Sequence, residues 1–254
     1  MNPPPSIFRV NAHNSAVDSE NKIHDDRIAV AYGFRGGLVP GVTIYGYMIP
    51  PILEQLGQEW MEHGGINVRF VAPCYEGETV VTRCDGSVVT AEREDGFLYA
   101  SGVVTMNESK ASAPSDAEVW VRAVYPIHPL PETSHRPSAS CETIVPGKLL
   151  GTLRRMLEAQ DAAAFPERLL YLANDILVQN FKMSPWLHAG SEVRHHCVPA
   201  LGREITVTGK ILECFERKRR RFAVAGLSFS QSHGPGSGEL LASVRHAFIY
   251  ELDR

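Results

Sequence analysis

Apolar positions dominate residues 41–63, a stretch that starts at Pro40-Gly41 and ends at His63-Gly64-Gly65, which predicts a helix with a kink at Pro50-Pro51. Strand-like runs follow at 66–72, 78–84, 87–92 and 97–106, with bends at Gly77, Asp85-Gly86 and Asp95-Gly96. A run from Val119 to Tyr125 closes the unit. The same order returns later, with a helix from Pro166 to His188 and a closing run from Val244 to Tyr250. Each unit reads as a central helix followed by a meander of antiparallel strands, an α+β pattern.

The second unit resembles the first at a constant offset of 125 residues. Val68-Arg69 and Gly77 are echoed by Val193-Arg194 and Gly202, with Pro73 answered one position late by Pro199, and the offset also pairs Phe97 with Phe222, Ala100 with Ala225 and Tyr125 with Tyr250. Two copies are too few for a solenoid, so the pattern predicts a domain duplication. The expected division is residues 1–127 and residues 128–254, the latter including a linker. Residues 126–148 carry five prolines among Ser and Thr, as an extended connection would, and 107–116 and 232–238 read as polar loops.

The 254 residues carry a formal net charge of −4, which gives no broad basic field for nucleic acid. No apolar run approaches the ~18 residues of a membrane span. The N-terminus lacks the basic and apolar regions of a signal peptide, and the five cysteines form no C-x-x-C pair. A cytoplasmic protein without disulfides, metal or cofactor is therefore expected. The assembly state stays open, with a homodimer among the options.

The candidate chemistry lies just before the first helix, in Asp18-Ser19-Glu20-Asn21-Lys22-Ile23-His24 and then Gly36-Gly37-Leu38-Val39-Pro40-Gly41. This segment resembles the signature of the MaoC-like, or (R)-specific enoyl-CoA hydratase, group of hot-dog proteins, Asp-x-Asn-Pro-(aliphatic)-His followed by a Gly-rich approach to a helix. Asn21, Ile23 and His24 match, whereas Ser19 stands where the group has its catalytic Asp and Lys22 where it has Pro. Asp18 is one position from the expected carboxylate. The resemblance implies a double hot-dog fold, two antiparallel sheets each wrapped around a long central helix. It also implies an acyl-CoA or acyl-carrier thioester as substrate and hydration or dehydration at its 2,3 position.

Read as chemistry, His24 supplies a base near neutral pH, and the first amides of the helix, at Gly41 and Val42, supply donors for a developing thioester oxyanion. The plainer reading makes His24 and Asn21 a local cap. Asp175 and Gln179 lie one turn apart on the second helix and resemble the Asp-x-x-x-Gln/His helix of double hot-dog dehydratases. At the offset of 125, His24 falls on Leu149 and Asp175 on Pro50, so each copy lacks what the other carries. That predicts one composite site holding His24, Asn21, Asp175 or Asp18, with Gly41, Val42, Gln179 and Ser19 against the substrate. The alternatives are thioester hydrolysis with a helix carboxylate, Glu54 being one candidate, and acyl-CoA binding without catalysis. Lys218-Arg219-Arg220-Arg221 reads as a solvated turn, with a phosphate site as its sharper alternative. His195 and His196 are strand neighbours that point to opposite faces, so they do not jointly hold a metal.

Overall fold

The computed structural model describes residues 4–106, 144–157, 165–183, 185–234 and 237–252. Strand β1 (Ser6–Asn11) precedes a short 3-10 turn (Lys22–His24) and helix α1 (Asp26–Ala31). Helix α2 (Gly41–Leu56) and helix α3 (Trp60–His63) lead into β2 (Gly64–Phe70), β3 (Thr79–Asp85), β4 (Val88–Arg93) and β5 (Leu98–Met106). The second half holds β6 (Leu153–Met156), helix α4 (Phe165–Asn180), β7 (Leu187–His195), β8 (Glu204–Arg217), β9 (Arg220–Gly234) and β10 (Ser237–Glu251).

The strands form one ten-stranded sheet in the order β1-β3-β4-β5-β2-β7-β10-β9-β8-β6. Each half has the same five-strand topology, with the strand before the helix at the outer edge and the strand after the helix at the centre. The two expected sheets are thus one. They join because β2 pairs antiparallel with β7, from Gly65 opposite Arg194 to Arg69 opposite Gly190. A Cβ on Gly65 would lie 2.7 Å from the Val193 carbonyl oxygen, and one on Gly190 would lie 2.5 Å from that of Val68. Only glycine permits this approach, and it does so once in each copy.

Helix α2 buries Tyr45, Met48 and Ile52 completely against the sheet, and α4 does the same with Leu169, Ala173 and Ile176. The apolar stripe at helical spacing is what makes these segments the two core helices. Both are shorter than the pattern predicts. Gly57, at φ 72°, ends α2 at Leu56, and β7 claims the residues from Leu187 onward.

The meander has four described strands after each helix, and the edge strands β1 and β6 precede the helices, where the pattern predicts none. The constant offset also fails beyond the central strands. Ala100 in β5 pairs with Phe70 of β2, yet Ala225 lies in β9, which pairs with β8 and β10 and not with β7. The counterpart of β5 is β10, because the strands β8 and β9 are much longer than β3 and β4. The anticipated loop 232–238 mostly belongs to β9 and β10. The predicted strand Val119–Tyr125, loop 107–116, most of the linker and the boundary at 127/128 lie outside the described residues.

Candidate active site

The loop between β1 and α2 is held by its own polar side chains. Asp25 caps α1 by accepting from the Arg27 and Ile28 amides, Asp26 accepts from the Gly37 amide at 2.7 Å, and Asn14 Nδ2 donates to the His24 carbonyl at 3.0 Å. A Cβ on Gly37 would overlap that carbonyl, so the glycine lets the loop fold back on the His24 turn.

His24 Nδ1 lies 2.6 Å from the Leu38 carbonyl oxygen. A carbonyl only accepts, so Nδ1 carries the proton and the neutral ring presents Nε2 as a lone pair. Burial pushes the His24 pKa below its ordinary value of 6.5, against the opposing pull of the Leu38 hydrogen bond. The ring is therefore an unprotonated base at neutral pH.

Asn21 joins the two copies. Its Oδ1 accepts from the Trp186 amide at 3.1 Å and its Nδ2 donates to the Trp186 carbonyl at 2.9 Å, while Nδ2 also lies 3.4 Å from His24 Nε2. One buried side chain thus fixes the His24 turn against the segment that enters β7.

Behind this clamp is a cavity of ≈ 980 Å³ at the junction of the copies, lined among others by Asn21, His24, Gly41, Trp186, His188 and Ser191. The N-terminus of α2 opens on it. Its intrahelical bonds begin with the Thr43 and Ile44 amides on the Pro40 carbonyl, so the amides of Gly41 and Val42 stand ahead of the ladder.

Sequence reasoning missed His188, which it assigned to a helix end. His188 Nε2 lies 2.8 Å from Ser191 Oγ, and Ser191 Oγ lies 3.0 Å from His246 Nδ1. The two imidazoles stack with centroids 4.1 Å apart. A Cβ on Gly41 would lie 3.3 Å from His188 Nδ1, an atom that is buried with no hydrogen-bond partner among the described residues. Burial and the adjacent His246 hold His188 well below its ordinary pKa, more than the Gly190 carbonyl raises it, and burial brings His246 down to about 3. Both rings are neutral at pH 7. The signal available in the sequence was Pro185, which breaks a helical run before His188.

Of the expected site residues, the cavity brings together His24, Asn21 and Gly41. Val42 is buried beside it in the core. Ser19 turns inward, its Oγ donating to the Asn21 carbonyl at 3.1 Å, and Asp18 is exposed. Asp175 and Gln179 are half-buried on α4 and are not among the lining residues, although Asn174 is. Burial raises the Asp175 pKa, and the charges of Arg155 on β6 and Arg168 on α4 pull it back. The carboxyl thus senses cations on the outer-edge side of its own copy. His195 is a core residue edge-on to Trp60, and His196 lies 3.1 Å from Ser243 Oγ, so the pair shares no site. Among the described residues there is no cluster of three or more metal-ligating side chains.

No family model matches the chain, and no curated protein matches it. Solved structures do. A conserved hypothetical protein of Mycobacterium tuberculosis with a double hot-dog fold superposes with a TM-score of 0.61 at 12% identity, covering 96% of this chain and 95% of that one. The fold is the hot-dog fold. An acyl-CoA thioesterase II from Mycobacterium marinum gives 0.56 at 13% identity over 84% of this chain and 89% of that one. An N-terminal dehydratase from the difficidin assembly line gives 0.51 at 12% identity over 100% and 96%. Hot-dog proteins of both chemistries, hydrolysis and dehydration, are thus similar in fold to this chain. Among the described residues no helix is long and apolar enough to cross a membrane.

Proposed function

We propose that the protein is an acyl-thioester hydratase or dehydratase of the MaoC-like kind, acting at the 2,3 position in the cavity between its two hot-dog halves. The observation that carries this reading is the contact of His24 Nδ1 with the Leu38 carbonyl, which leaves Nε2, beside Asn21 Nδ2, as the basic nitrogen at the cavity onto which the α2 N-terminus opens.

In the hydration direction His24 Nε2 takes a proton from water as its oxygen adds to C3 of the enoyl thioester. The enolate oxygen is held by the amides at the start of α2, where the helix dipole favours negative charge. The His188 ring faces the same helix start. Its Nε2 is held by Ser191 Oγ at 2.8 Å, which fixes the ring with Nδ1 beside Gly41. The imidazolium of His24 then returns its proton to C2, so the reaction closes without a second titrating residue. No step is routed through Asp175, which lies on α4 outside the cavity lining.

Hydrolysis is the second reading, favoured by one observation. Among the described residues the cavity is lined by a single carboxylate, Glu192, and that residue is paired with Arg194 at 2.9 Å. A lone base with oxyanion donors suffices to activate water against a thioester carbonyl. Following an enoyl-CoA for loss of enoyl absorbance and for release of thiol separates the readings. Absorbance lost without thiol supports hydration. Thiol released at the same rate from saturated and enoyl thioesters overturns it.

A further inference from the structure

The cavity does not end at the catalytic loop. It continues past the ends of the central strands to the β8–β9 hairpin, where Arg217, Lys218 and Arg220 line its rim together with Phe215 and Phe222. The sequence offset equates this turn with Glu92–Asp95, but the pairing equates it with the β3–β4 turn at Gly86-Ser87. Gly86 there takes φ 59° at no steric cost. In the second copy Lys218 at φ 50° and Arg219 at φ 61° occupy a two-residue turn whose left-handed positions favour Asn-Gly. Non-glycine residues held in the left-handed region cluster at active sites and ligand clamps.

The charges at this rim are unbalanced. Arg69, Arg217, Lys218 and Arg220 make no ion pair among the described residues, and Glu192 is the sole carboxylate of the lining. This happens in a chain of net charge −4. Beside the cations, Phe215 and Phe222 stack across the hairpin with centroids 5.0 Å apart, and Phe215 is 43% exposed. Cations with a flat aromatic surface suit a phosphorylated nucleotide, the base on the ring and the phosphates on the guanidinium groups.

Register sets the reach between the two ends. Leu187 pairs with Ile249, Ile249 with Phe222 and Phe222 with Phe215, so three strand spacings separate the residue before His188 from Phe215. That is about 14 Å at ~4.8 Å per strand. A pantetheine arm has two amides and about the backbone length of four extended residues, roughly 14 Å.

We infer that the β8–β9 hairpin holds the 3′-phosphoadenosine diphosphate end of a coenzyme A thioester, with the pantetheine arm laid along Phe222 and Ile249 towards His188 and His24. This deepens the thioester reading and names coenzyme A, not a carrier protein, as the substrate's head group.

The test pairs binding with turnover, using the full chain and a triple variant, Arg217→Ser with Lys218→Ser and Arg220→Ser, at exposed positions. Titration of 3′-phosphoadenosine 5′-phosphate should show saturable binding to the wild type, about tenfold or more weaker in the variant, with inorganic phosphate far weaker. Phe215→Ser should weaken the nucleotide and leave phosphate unchanged. In turnover, the variant should raise KM for crotonyl-CoA about tenfold with kcat unchanged, and leave crotonyl-pantetheine unaffected. No saturable nucleotide binding, or phosphate competing as well as the nucleotide, overturns the site. Equal KM for both thioesters in the wild type overturns it too, while leaving the hydration reading intact. Nucleotide binding lost in the variant, in a protein that turns over neither thioester, supports the site and removes the hydration reading.

Discussion

The two halves share a topology yet treat the junction of β2 and β7 in opposite ways. Where β7 begins, His188 packs on Phe70 at 4.6 Å and opens on the His24 cavity. Where β2 begins, the position related by the offset is His63, and the space beside it is closed by Trp60, which is fully buried, donates from its indole to the Gly65 carbonyl at 3.2 Å and sits edge-on to His195. The position of His24 is taken by Leu149, which is 47% exposed. Of these two equivalent places, one is filled core and the other opens on the cavity. The two halves line the cavity differently: one half places His24 and the start of α2 there, and the other places the wall with its buried histidines.

This contrast can be broken from the packed side first. Trp60→Ala should cost about 3–5 kcal/mol, seen as a lower denaturant midpoint with an unchanged slope, because it removes a large side chain from a closed core together with its hydrogen bond to the Gly65 carbonyl. A loss below 1 kcal/mol would show that the second junction is not truly filled. On the open side, His24→Ala should lower kcat/KM by ~10²-fold or more in a folded protein. Undiminished activity would remove His24 from the mechanism.

Asn21→Ala sharpens the comparison at its seam. Both Trp186 backbone groups lose a buried partner, so stability should fall by about 1–3 kcal/mol, and kcat/KM by about tenfold as the His24 turn loosens. A stability loss without any change in kcat/KM would make Asn21 a structural strut only. Asp175→Asn should have the smallest effect on catalysis, within about twofold, since a residue that makes no contact with the reacting atoms stabilises no transition state. Its raised pKa means that folding disfavours the carboxylate, so the amide should be slightly more stable at neutral pH. An activity loss as large as that of His24→Ala would bring Asp175 back as the acid of a composite site.

The buried histidines give the protein an acid limit. His24, His188, His195 and His246 all have pKa values lowered by burial, His195 and His246 to about 3. A lowered histidine is disfavoured in its charged form by folding, so the unfolded chain binds more protons below pH 6.5. Stability should be fully present above that pH and fall as pH drops towards 3. For catalysis the same sign applies: the acidic limb of kcat/KM, reporting free His24, should lie below pH 6.5. A limb above it would require a carboxylate near the ring.

The sequence alone determined the repeated order of a helix followed by antiparallel strands, the core helices at Gly41 and near Pro166, and the loop with Asn21 and His24. These are written in short-range patterns, since helix and strand periods, glycines at turns and a cap residue act within a few positions. The edge strands β1 and β6 were illegible because an edge strand half exposed on both faces carries no alternation. Tertiary structure decided the rest. Only the pairing of β2 with β7 merges two sheets into one and brings His188 beside Gly41, and only the unequal lengths of β8 and β9 move the cationic turn to the cavity rim. Those outcomes depend on strand register and on backbone approach at Gly65 and Gly190, contacts between residues about 125 apart that no local pattern records.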